Sequence, residues 1–335
     1  MVARCTSGAR LSCRSLRLWH RNRYRKCSRR VVGGNAVSVV IGFLAPSRPQ
    51  LLLAPDRNAG WQRLHDSFAD ARQQLQDSGA ELLLIYSTQW HSIIGHQMQA
   101  DANPQWTKVD DDFHDLGTIK YDLKIDAAFA ANYCEAAQNR GLVARTVDYH
   151  GFPVDTGSLV VAQLLNPTNE IPMAIVSCNV YADRGETIVL GKAARDAIEA
   201  SGKKVAVVVS TSLSNRMFTT DIDPQDDRIH SQKDDEWNRK LLELLSEGRL
   251  EDVSQLARQF AAEAHGEQRM KAMWWLAAVM GENNNYRGQL LGYEAVWGTG
   301  QALLSLTPQE KSSQLFEYDE DSSDVYRGDR NILSK

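Results

Sequence analysis

His91 and His96 are the most closely spaced of the chain's eight histidines, five positions apart. A helical metal pair needs a spacing of four to put both imidazoles on one face, so this pair reads as surface or core histidines rather than a ready-made site. A rewired site using His91 is the sharper alternative. His150 follows Tyr149 at the end of a strand-like run, where a side chain can line a pocket. Five cysteines include no Cys-x-x-Cys pair. Neither a zinc knuckle nor a disulfide framework is indicated, which points to a reducing cytoplasm. Gly298-Thr299-Gly300 lacks the third glycine and the strand-to-helix setting of a dinucleotide loop, and reads as a bend.

The elements that must position these residues alternate in type. Strand-like runs at Val37–Leu44, Glu81–Tyr86, Ala144–Asp148, Pro172–Ser177 and Val205–Ser210 are separated by helical patterns at Trp61–Asp77, Asp126–Asn139 and Glu186–Ser201. Three further helices follow, over Trp237–Ser246, Leu250–His265 and Gln268–Met280, before strand-like sequence returns at Gly288–Leu306. This order predicts one α/β domain over 37–306, with a central mixed, mostly parallel sheet flanked by helices. The apolar face of Met270–Met280, with Trp274 and Trp275, reads most simply as core; adjacent tryptophans cannot share a helical face, so one of them is also a candidate for a subunit interface. The charged stretch Asp221–Glu236 reads as a solvated loop, with Asp234 or Asp235 near a helix start.

Composition excludes several classes. With 43% hydrophobic and 24% charged residues, the chain can bury a sizeable core. A net charge of -4 gives no footprint for nucleic acid, and no apolar run approaches the ~20 residues of a membrane span. Residues 1–36 are rich in Arg and Ser, and no acidic residue precedes Asp56. They are expected to be a disordered basic extension, either transit-like or read from a mis-assigned start; the second is preferred. Residues 307–335, with the acidic run Glu317–Asp321, are expected to be a polar tail.

In an open α/β sheet, ligands bind beyond the carboxyl ends of the strands. Four segments qualify: Pro46–Pro49, Ser87–Trp90, Ser210–Met217 and Gly281–Asn283. The ordered set Ala45-Pro46-Ser47-x-Pro49, Ser87-Thr-Gln-Trp90, Asp155-Thr-Gly-Ser158, Ser210-Thr-Ser-Leu-Ser-Asn215 and Gly281-Glu282 resembles the class III extradiol ring-cleavage dioxygenases over about 39–304. The stretch Phe113–Asp126 is most similar to the branch that cleaves 2-aminophenol.

The resemblance implies a non-haem Fe(II) site of two histidines and one glutamate, with a further histidine as acid or base. Carried over by position, Ser47 and Gln89 replace the two histidine ligands, Asn215 the acid/base histidine, and Thr156 the usual middle residue of Asp-x-Gly. Glu282 alone matches at the motif level, and as a lone ligand it reads better as a carboxylate satisfied by helix-end amides. Hydroxyls and amides are poor donors for Fe(II), and Asn cannot exchange a proton near neutral pH. The expectation is a non-catalytic α-type subunit with no cofactor of its own. Its partner would be a catalytic β subunit holding Fe(II), in an α2β2 assembly that cleaves 2-aminophenol or a related catechol-like ring. Two alternatives stand beside it. One is a stand-alone metal-free aromatic-binding module; the other is a metalloenzyme rewired around Glu282 with His91 or His150.

Overall fold

The structure, a computed structural model, describes residues 39–281 and 286–309. The first strand, β1 (Val39–Ala45), leads through a short helix α1 (Gln50–Leu53) to α2 (Ala59–Asp77), which Asn58 caps. Next come β2 (Leu82–Ser92), β3 (His96–Gln99), and a separate hairpin of β4 (Gln105–Val109) with β5 (Thr118–Asp122). The middle of the chain forms α3 (Ala127–Asn139), β6 (Ala144–Val147), α4 (Thr156–Leu165) and β7 (Met173–Asn179). Then follow α5 (Arg184–Ser201), β8 (Val205–Ser210), α6 (Gln232–Ser246), α7 (Leu250–Glu263) and α8 (Lys271–Met280). A hairpin of β9 (Tyr286–Val296) and β10 (Thr299–Pro308) completes the domain.

The eight-stranded sheet has the order β6-β3-β7-β2-β8-β1-β10-β9. Its centre is parallel, with β7, β2, β8 and β1 joined in one direction, while β10 pairs antiparallel with β1. The fold is therefore the α/β mixed sheet that the alternating pattern implies. Central strands covered on both faces are predominantly apolar, with polar residues gathered toward their carboxyl ends, and β7 and β8 are buried at every position. Two hydrophobic clusters lie on opposite faces. One contains residues of α3, α5, α6, α7 and α8, the other residues of α1, α2 and α4 with Ile119 and Tyr121 of the hairpin.

Helix α8 is held at both ends in a way that matters for the site. Lys271 at its start donates to Asn179 O (2.6 Å) and Val180 O (2.8 Å), at the carboxyl end of β7. Met280 at its finish packs over Gly42 in β1, where a Cβ would lie 2.5 Å from the Met280 sulfur. α8 thus runs from the carboxyl ends of the strands back toward the other end of the sheet.

Several expectations need correction. Trp274 and Trp275 are both buried within the chain, which fits the core reading and removes the subunit-interface alternative. Their indole N–H groups donate to Ser254 O (2.9 Å) and Tyr133 Oη (2.9 Å), so α8 is enclosed on all sides and presents neither to a subunit surface. The stretch Asp221–Glu236 is not simply solvated. Asp234 is fully buried beside Arg216, and Asp227 accepts from Trp61 Nε1, Trp297 N and Gly298 N. The bend lies at Trp297-Gly298, both with positive φ, which is the two-residue hairpin turn, and Gly300 belongs to β10. Among the described residues no helix is long and apolar enough to cross a membrane. The basic segment 1–36 and the tail from residue 310 onward lie outside the described residues.

Candidate functional site

The carboxyl ends of three adjacent strands, β2, β8 and β1, open into one cleft of about 220 Å³. This is below the roughly 300–1,000 Å³ of drug-sized pockets. Arg48 reaches it from the loop after β1, Gln89 and His91 from the end of β2, and Asn215 from the loop after β8. Asp155 and Thr156 enter from the start of α4, and Glu267 with Gln268 from the segment before α8.

The backbone delivers these residues by irregular geometry. In β2 the pairing with β7 shifts register between Ser87 and His91, which re-aims the residues between them. The short segment before α8 is more unusual. His265, Gln268, Arg269 and Met270 all have positive φ, between 46° and 60°. Such conformations cost non-glycine residues of order 1–3 kcal/mol each and cluster where structure is bent to function. Here they carry Glu267 into the cleft, and the same segment is tied to the loop after β8 by Glu267 N to Leu213 O (3.1 Å) and Asn215 N to His265 O (3.0 Å).

The polar groups are already engaged with one another. Glu267 accepts from the backbone N of Ser212 and from Thr211 Oγ1 (3.2 Å). Ser212 Oγ accepts from Gln301 Nε2 (2.5 Å) and lies 3.5 Å from Ser47 Oγ, while Gln301 Oε1 accepts from Ser47 N (3.0 Å). Ser47 is completely buried in this network. Asp155 caps α4 and accepts from Ser87 Oγ (2.5 Å), Ser158 N (2.9 Å) and Ser158 Oγ (2.6 Å). Asp110 accepts from Thr156 Oγ1 (2.6 Å) and from the N–H groups of Asp112 and Phe113 (3.0 Å each). Arg48 donates to Asn215 Oδ1, and its Nε has no partner. His91 Nε2 accepts from Gln268 Nε2 at 2.8 Å, which occupies the lone pair that a metal would need.

The structure brings Gln89, His91, Thr156 and Asn215 to one cleft, with Ser47 behind it in the bonded network. His150 lies elsewhere. It is 79% exposed beside Trp106 and Tyr121, with Asp101 at 3.4 Å, so it cannot combine with His91. His96 is buried against Glu186 (3.0 Å), which fits the core reading. Glu282 lies outside the described residues. Its neighbour Gly281 sits by Arg195 at the far end of α8 from the cleft. The carboxylate in the cleft is Glu267, which the sequence reading missed. Gly-Glu dipeptides precede and follow α8, and it is Gly266-Glu267, at the amino-terminal end, that sits at the strand ends.

The donor set does not fit Fe(II). The cleft has a single imidazole, whose facing nitrogen is bonded, the carboxylates of Glu267, Asp155 and Asp110 accept hydrogen bonds from the protein, and a serine hydroxyl and a neutral amide do not replace two histidines. Among the described residues no group of three His, Cys, Asp or Glu side chains could hold a metal ion.

The family described as "Catalytic LigB subunit of aromatic ring-opening dioxygenase" matches residues 43–304. The 2-aminophenol 1,6-dioxygenase alpha subunit of a Pseudomonas species is 29% identical over 273 residues, covering 81% of this chain and 100% of that subunit. The beta subunit of 2-aminophenol 1,6-dioxygenase, also from a Pseudomonas species, is 31% identical over 284 residues, covering 79% and 93%. A crystal structure of an uncharacterized Escherichia coli K12 protein shares the fold, with a TM-score of 0.56 and 12% identity over 79% of this chain and 99% of that one.

Proposed function

The chain belongs to the LigB family of class III extradiol dioxygenases, and from that premise we propose that it is the non-catalytic, α-type subunit of a heteromeric ring-cleaving enzyme. The observation that carries this reading is the chemistry of the cleft. Ser47, Gln89 and Asn215, which the resemblance sets at the three histidine positions, are neutral groups, and Glu267 is bonded to Ser212 and Thr211 rather than left open. Overall identity does not choose between the two subunit types, at 29% and 31%. The residues at the strand ends support the α type.

On this reading the chain holds no cofactor. Its partner is a β-type paralogue with intact histidines that binds Fe(II) and opens 2-aminophenol or a related catechol-like ring, in an α2β2 assembly. The chain's contribution is to bury part of the partner and stabilise it. Its fully buried Cys178 thiol, pushed up to about 11 by burial, and the free Cys134 fit a reducing cytoplasm.

The test is co-expression with such a paralogue. The expected result is a stable complex in which the paralogue's O2 uptake with 2-aminophenol rises over that of the paralogue alone. A paralogue equally active and soluble by itself, with no complex formed, would overturn the subunit role. Binding of an aromatic by the isolated chain without any complex would favour a stand-alone module instead.

A further inference from the structure

A second cleft of about 580 Å³ lies beside the first, and the two share Asp112 on their rims. Its walls are aromatic. Phe113 and Trp297 meet edge to face, with ring centroids 5.6 Å apart and planes at 79°, which forms a right-angled corner. Phe218 lines the cleft with His230 stacked on it at 5.4 Å and Arg228 at 5.4 Å from its centroid. Trp297 is fixed by Asp227, which accepts from its backbone N at 2.6 Å and from Gly298 N at 3.0 Å. These walls are preorganised rather than mobile side chains.

Gln50 lines the same cleft, and only 1% of its surface is exposed. Neither its amide nitrogen nor its amide oxygen has a hydrogen-bond partner. Buried amides are nearly always satisfied, so a donor and an acceptor orphaned together call for an explanation. A planar carboxamide pairs best with a planar edge that presents a donor beside an acceptor, the geometry by which Gln reads a heteroaromatic base. The rim carries Asp112, Asp115 and Asp221 against Arg57, with Arg228 stacked on Phe218, and this acidic excess disfavours a negatively charged ligand.

We propose that this cleft binds a small planar aromatic molecule that is neutral or cationic and presents a hydrogen-bond donor next to an acceptor to Gln50. The ring packs in the corner of Phe113 and Trp297 while its polar edge satisfies both atoms of the buried amide. This site is separate from the cleft of Gln89 and Glu267 and does not depend on the subunit role above.

The experiment is calorimetric titration of the full-length chain with benzamide and with 2-aminopyridine, and with benzoate as the anionic control. Both amide-complementary probes are expected to bind, and benzoate to bind more weakly than benzamide. Gln50→Met, of similar shape, should weaken benzamide by roughly tenfold or more. It should not lower the melting temperature, because it removes unsatisfied polar atoms. Asn215→Ala, in the neighbouring cleft, should leave benzamide affinity unchanged. No binding of either probe would overturn the proposal, as would equal binding by Gln50→Met or loss of binding in Asn215→Ala instead. A clear drop in melting temperature for Gln50→Met would show that water satisfies the amide, and would also overturn it. Tetramethylammonium displacing benzamide, with Gln50→Met binding it equally well, would mean a cation cage and not the amide-reading site.

Discussion

In the cleft at the ends of β1, β2 and β8, Asp155 and Asp110 each accept three hydrogen bonds from the protein, and Glu267 accepts two. In the aromatic cleft beside it, the side-chain amide of the buried Gln50 accepts and donates none. The difference separates residues that hold loops together from residues kept available for something else. In an iron enzyme the first cleft would be the open one, with its carboxylate and imidazoles free for metal. Here Glu267 fastens the loop after β8, and Ser47, Ser212 and Gln301 bond one another behind the cleft.

The largest effect that would break this contrast is the return of metal binding. Ser47→His with Gln89→His supplies two imidazoles near Glu267, and Fe(II) affinity is expected to rise by more than roughly a hundredfold, measured by anaerobic titration. An unchanged affinity would mean that these positions do not correspond to ligand sites. Next in size is the structural worth of the first cleft's acids. Asp155→Ala removes the cap of α4 and orphans the buried Ser87 hydroxyl. It is expected to cost about 2–4 kcal/mol in urea denaturation at an unchanged m-value. A cost near zero would remove the case that this cleft serves the fold.

The smallest effect is a control far from both clefts. Burial works to raise the Asp126 carboxyl, but the Lys203 ammonium and the Phe129 N–H together hold it below its ordinary value of 3.8. A depressed carboxylate contributes stability above the unfolded value and loses it as pH falls through the folded one. Lys203→Met should therefore flatten the loss of stability below about pH 4 and cost less than ~1 kcal/mol at neutral pH, since Lys203 is 38% exposed and screened. Acid denaturation curves of the two proteins, compared at equal salt, check it.

The scaffold was largely legible because its signals are periodic. β7 and β8 open with apolar runs of four and five residues, and α2, α3 and α5 begin at Asn58, Asp126 and Asp183, each accepting from the first turn. The β4–β5 hairpin went unread because β4, Gln105-Trp-Thr-Lys-Val109, is mostly exposed and polar, with no buried face to impose alternation. β3, at four residues, is too short to announce itself. In the site, Ser47 and Asn215 follow strand ends and Gln89 lies near the end of one, so their placement could be read from the chain, whereas Thr156 opens α4, a helix whose apolar run went unread. Glu267 could not be. It sits in a segment of left-handed residues, which has no period, and the competing Gly281-Glu282 had the same dipeptide. Its position directly before the apolar Trp274-Trp275 helix was the one available signal.

The most direct test of the central claim is the iron content and 2-aminophenol-dependent O2 uptake of this chain alone, purified anaerobically in the presence of Fe(II). The expected result is sub-stoichiometric iron and no uptake, because Ser47, Gln89 and an engaged Glu267 cannot hold the metal. One iron per chain with turnover would contradict it, and would mean that this cleft is an active centre built from a different set of ligands.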